Sequence, residues 1–210
     1  MSFAVISNLL LFLLLSLFLI PNERELASII SQVLKGLSGL AAAGLELESL
    51  TCSNVLIGLD RVVKIGTRNI PGTGLESCME LTRGQPQSRS IRALANIMME
   101  LMQKYDKDGG LVGVDDLERW PLNSDAVEFL VAVRASSRCR KKRSRLPTSP
   151  KPYIVSGQSL TVASSSAGSI KSLEQHPLIM KQRQSPGELV GLARLALIST
   201  RTFYSYKEQC

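Results

Sequence analysis

Residues Ser49–Ile65 (SLTCSNVLIGLDRVVKI) constrain the local fold more tightly than any other stretch of the chain. Two apolar runs, Val55–Ile57 and Val62–Ile65, flank Gly58-Leu59-Asp60-Arg61. Apolar runs on either side of a Gly- and Asp-containing turn predict a small β-hairpin. A helix is predicted before it, over Leu26 to Ala43. Leu26, Ile29, Ile30, Val33, Leu34, Leu37 and Leu40 recur at steps of three and four, which places them along one helical face. Glu23 and Glu25 suit the first turn, where the helix dipole favours carboxylates. Gly44 is placed to end the helix. Such a stripe is a core-packing face, so this helix is read as the central one.

The chain has 210 residues, 44% of them hydrophobic, enough for one domain with a sizeable core. Aromatic residues make up only 5%, which suits a helical domain better than a β-sandwich. The net charge of +7 is local, because six of the eight residues Arg138–Arg145 are basic. No nucleic-acid partner is therefore expected. Cys52, Cys78, Cys139 and Cys210 are widely spaced with no C-x-x-C pair, which argues against zinc and for reduced thiols. Any Ser-His-Asp or Cys-His site would have to use the single histidine, His176. Asp106, Asp108, Asp115, Asp116 and Glu118 lack the spacing of a calcium loop and read as solvated.

Composition divides the chain. Within residues 1–21, Phe3–Ile20 is strongly apolar. At about 1.5 Å per residue it nearly spans a bilayer core of about 30 Å. No Lys or Arg precedes it, unlike a secretory signal. Two readings stand: an uncleaved membrane anchor, or a segment without native role from a mis-assigned start. Residues 22–137 and 170–210 read as the globular part, with helices over Ser90–Met102, from Ser124 to Leu130, and after Pro186-Gly187-Glu188. The methionines of Ser90–Met102 are read as core filling, and Thr67–Ser90 as loop. Residues 138–169 are basic, then proline-rich, then serine-rich, and are expected to be disordered. This insert reads as functionless, in the manner of translated intron sequence, in preference to a localisation signal.

The order of helix, polar loop ending in Asn, and hairpin resembles the catalytic-loop region of eukaryotic protein kinases. There H-R-D-L-x-x-x-N precedes the hairpin and D-F-G follows it. Leu50 falls on the family's Leu and Asn54 on its metal-binding Asn. Leu47 stands at the His, Glu48 at the Arg and Ser49 at the catalytic Asp. Lys64-Ile65-Gly66 resembles the approach to D-F-G, with Thr67 at the magnesium-holding Asp. Ser90–Leu101 is similar to the family's D-V-W-S-L-G-x-x-x-x-E-L helix. Leu94, Glu100 and Leu101 match it, and Ser90 replaces the Asp that braces the catalytic loop. His176-Pro177 matches a closing H-P pair. It is reached after 45 residues, Val131–Gln175, an interval longer than the family's. No G-x-G-x-x-G, strand Lys or A-P-E is present; Gly72-Thr73-Gly74 reads as a turn.

The resemblance implies a mainly α fold: the helical C-terminal lobe of a kinase-like domain, with a small β-hairpin and without the N-terminal lobe. It implies a pseudokinase-like module without phosphotransfer, acting through protein partners if at all. No catalytic residue is intact, Asn54 is a vestigial metal ligand, and no cofactor is expected. Two alternatives stand beside it. One is an active Ser/Thr kinase-family enzyme using ATP and magnesium. The other is a membrane-anchored helical protein unrelated to kinases. The expected location is a membrane, with the domain cytosolic, or the cytoplasm if Phe3–Ile20 is not native.

Overall fold

The computed structural model describes residues 20–58, 60–66, 78–80, 88–105, 112–138, 170–181 and 187–207. Thr67, most of Phe3–Ile20 and nearly all of the basic insert lie outside them, so the readings made there concern residues beyond those described. Among the described residues no helix is long and apolar enough to cross a membrane.

The first helix, α1 (Glu23–Ala42), starts where its caps require. Asn22 Oδ1 accepts from Glu25 N at 3.0 Å, and Glu25 Oε2 accepts from Asn22 N at 2.8 Å. This reciprocal box satisfies two backbone donors that a helix start leaves unpaired. Gly44 takes a left-handed φ of +74° just past the end, a conformation that costs glycine little. Leu26, Ala27, Ile29, Ile30, Val33, Leu34 and Leu37 are each at most 2% exposed. Leu40, the last of the predicted stripe, is only partly buried.

Strand β1 (Leu45–Leu47) leads to a 3₁₀ turn at Cys52–Asn54, then to β2 (Val55–Ile57) and β3 (Val63–Ile65). β2 and β3 pair antiparallel with Leu56 opposite Lys64, which is the predicted hairpin. Val62, read as the start of the second strand, instead closes the turn: its carbonyl accepts from Gly58 N at 2.9 Å. β3 lies against α1. Gln32 Oε1 accepts from Val63 N at 2.8 Å, and a Cβ at Gly36 would come within 2.9 Å of Ile65 Cδ1. A second pair was not read from the sequence. β1 runs antiparallel to β4 (Cys78–Glu80), with Glu46 opposite Met79, inside the stretch expected to be loop.

Helix α2 (Ser88–Gln103) buries Ile91, Leu94, Ile97, Met98, Met99, Leu101 and Met102, so its methionines are core. Trp120 Nε1 donates to Met102 O at 3.1 Å and closes the end of that helix. Helix α3 (Asp125–Arg138) begins after Ser124, whose Oγ accepts from Val127 N, and runs beyond the predicted Leu130. Short helices α4 (Ile170–Glu174) and α5 (Pro177–Lys181) follow, then α6 (Val190–Lys207). The described architecture is thus mainly α with two small two-stranded sheets. α1 touches α2, α3, α4, α5, β1 and β3, and is the axis of the core.

His176 packs edge-on to Phe129 at 5.1 Å between ring centres, and its Nδ1 accepts from Leu178 N at 3.3 Å. Burial holds its pKa below the ordinary 6.5, against the opposing pull of Glu128 and Asp125. A depressed folded pKa means that the unfolded chain takes up the proton first as pH falls. The contribution is therefore complete above 6.5 and drains away between 6.5 and the folded-state value. Urea midpoints at pH 7.5 and 5.5 are expected to differ in the native chain. They should converge in His176→Asn, whose Oδ1 can take the Leu178 bond.

Arg61 sits at φ +65° in the hairpin turn and is exposed. A left-handed conformation costs an L-residue about 1–2 kcal/mol. Arg61→Gly should stabilise the domain by about 1 kcal/mol, after glycine's own entropy cost. An unchanged or lower midpoint in urea would show that the turn carries no such strain.

Candidate functional site

The loop between β1 and β2 alternates between the core and the surface. Leu47 and Leu50 are buried at 4% and 6% exposure, while Glu48 and Ser49 face solvent. Ser49 therefore stands on the rim of a groove of about 440 Å³ between this loop and the start of α2. Across the groove are Arg89, Arg92 and Asn96. Two guanidiniums and one carboxylate, Glu48, make the lining more suited to an anion than to a metal ion. Ser49 has no histidine beside it, because His176 is engaged with Phe129 and Leu178 elsewhere in the fold.

The loop is braced by a residue that sequence reasoning missed. Glu46 is only 7% exposed, and its Oε1 accepts from Ser90 N at 3.2 Å and Ser90 Oγ at 3.3 Å. Ser90 N lies in the first turn of α2, where unpaired backbone donors and the helix dipole both favour a carboxylate. Kinase resemblance places an Asp at position 90 to reach toward the loop. Here the acceptor comes from the loop side and the donors from the helix, the reverse of that expectation. The one available signal was a charge between two leucines, Leu45-Glu46-Leu47, in a strand that buries both Glu46 and Leu47.

Asn54 ties the loop to the hairpin. Its Oδ1 accepts from Thr51 N at 3.2 Å and Thr51 Oγ1 at 2.6 Å, and its Nδ2 donates to Gly66 O at 3.3 Å. Gly66 N returns a bond to Asn54 O at 2.7 Å. The amide orientation is forced, since a reversed group would set NH₂ against the Thr51 N–H. A carbonyl oxygen has two lone pairs, and both of these are engaged within the turn. Ser49 and Asn54, both singled out from sequence, thus lie on one loop with different roles. Ser49 is presented to solvent and Asn54 is turned into the structure. Thr67 lies outside the described residues.

The remaining candidates do not converge on this loop. Asp115 bonds the Tyr105 hydroxyl, and Asp116 Oδ1 accepts from Arg119 N at 2.9 Å, while Asp106 and Asp108 lie outside the described residues. Among the described residues, no group of His, Cys, Asp or Glu is arranged to hold a metal ion. Cys52 is a buried thiol whose Sγ reaches the Ile97 carbonyl at 3.9 Å. A wider groove of about 620 Å³ lies beside β3, walled by Leu40, Val62 and Ile65 and rimmed by Lys35 and Lys64. No protein-family model matches the chain, and no curated protein matches it.

Removing one partner of a buried hydrogen bond leaves the other unsatisfied, which costs about 1–3 kcal/mol. Glu46→Ala and Ser90→Ala should each destabilise, Glu46→Ala more, because it also orphans the Ser90 N–H. The double variant should fall short of the sum, by a coupling of about 0.5–3 kcal/mol measured in urea. Additive losses would mean that the Ser90 hydroxyl contributes nothing to the brace.

Proposed function

We propose that the chain is a degenerate protein kinase-like module without phosphotransfer activity, which acts by binding protein partners. The observation that carries this reading is the loop from Leu47 to Asn54. It follows a central helix, precedes a hairpin that Asn54 secures, and is braced to the start of α2 by Glu46. That succession fits a catalytic loop in which the supports are kept and the reactive groups are replaced.

Phosphoryl transfer depends on positioning and charge neutralisation. Kinases use one Asp to accept the substrate hydroxyl proton, and Ser49 brings no carboxylate to that position. They use a second Asp to hold the magnesium that bridges the phosphates, and Thr67 stands there instead. Asn54 has the side chain of a metal ligand, but its oxygen is committed to Thr51. One neutral amide is a poor site for a strongly hydrated magnesium ion. In this reading Phe3–Ile20 holds the protein on a membrane. The basic residues follow that run and hold the domain on the cytosolic side.

The full chain in mild detergent should bind no nucleotide in a magnesium-dependent manner and transfer no γ-phosphate to general acceptors. Robust incorporation, lost in Asn54→Ala while the thermal midpoint stays near native, would instead make the chain an active kinase-family enzyme.

A further inference from the structure

Ile20 joins the folded domain at a fixed point. Its carbonyl oxygen accepts from Arg119 Nη2 at 2.8 Å, its side chain packs against the core, and Pro21 is buried. Arg119 is itself held in place. Its backbone N–H donates to Asp116 Oδ1, within a turn closed by Trp120 N to Asp116 O at 3.0 Å. A second turn, closed by Ser124 N to Pro121 O at 2.9 Å, follows directly. Each turn carries a leucine that the core does not use: Leu117 is 49% exposed and Leu122 55%. Trp120 between them is 3% exposed. Two uncovered leucines therefore flank the arginine that grips the end of the apolar run Phe3–Ile20.

We propose that Leu117 and Leu122, on either side of Arg119, form a docking face that rests on the headgroup layer of a bilayer entered by Phe3–Ile20. This rests on the anchor reading of that segment. The occupant follows from where the described chain begins. Residue 19 is one peptide from the carbonyl that Arg119 holds, and one residue spans at most about 3.6 Å. No linker separates the domain from the apolar run, so a bilayer that takes up the run also meets the surface around Arg119. A soluble partner would have to displace that bilayer. Local charge selects the lipid. Asp115, Asp116 and Glu118 outnumber Arg119 on this stretch, so anionic headgroups are repelled and zwitterionic ones are favoured.

Trp120 is the only tryptophan and serves as the reporter. The full chain is reconstituted into phosphatidylcholine vesicles with and without a headgroup spin label. Docking predicts that the label quenches Trp120 emission. It predicts less quenching when phosphatidylserine replaces part of the lipid. In Leu117→Glu/Leu122→Glu the quenching should be lost while the chain still sediments with vesicles. Leu122→Asn alone, at the most exposed of these positions, should lower it if the double variant fails to fold. Sedimentation without headgroup-dependent quenching would overturn the docking face and leave the anchor standing. A chain that does not sediment would overturn both. Self-association in detergent that the leucine variants abolish, without quenching, would assign the face to a second copy instead.

Discussion

Enclosure of α1 is the constraint on which the rest of the structure depends. Seven apolar residues of this helix are at most 2% exposed, and such a helix has no stable existence in water by itself. Every neighbour contributes part of the sheath. α2, α3, α4 and α5 each pack against it, and β1 and β3 lie along its later turns. β3 approaches closely at Gly36, where a larger residue would make the tip of Ile65 turn aside. The small sheets pair only over three-residue runs, too short to stand alone, and β1 and β3 rest on α1.

The loop from Leu47 to Asn54 is held by polar contacts that end within the protein. Glu46 anchors its start to α2, the Thr51–Asn54 exchange shapes its turn, and Asn54 with Gly66 fastens its exit to the end of β3. Leu47 and Leu50 pin it from below. Such a loop is fixed at its attachments, and Glu48 and Ser49 are its solvent-facing residues on the groove.

The parts of the fold that the sequence made legible share one property: they are set by local periodicity. The stripe of α1 needs only steps of three and four, and the hairpin needs two apolar runs around a Gly-Asp turn. Ser124 marks the start of α3 through a cap that lies within three residues. What escaped is non-local. Cys78–Glu80 becomes a strand because β1 lies beside it, and nothing in its own three residues states that. The role of Glu46 is fixed by Ser90, 44 positions away. Asn54 was visible as a polar residue before a strand. Its hydrogen bonds to Thr51 join residues three apart, a spacing at which a polar side chain can close a turn.

One contact also sets a clock. Glu23 Oε1 accepts from Ala126 N at 2.9 Å across 103 positions, joining the first turn of α1 to the first turn of α3. A ribosome adding about 5–20 residues each second makes Ala126 about 5–20 s after Glu23. Through that interval the apolar stripe of α1 has no α3 to cover it, whatever has already formed around the hairpin. The nascent chain therefore exposes its most water-averse helix for seconds, directly behind an apolar run that shares its need for cover. Early delivery of the first residues to a bilayer or a holdase would shorten the time for which that surface meets water.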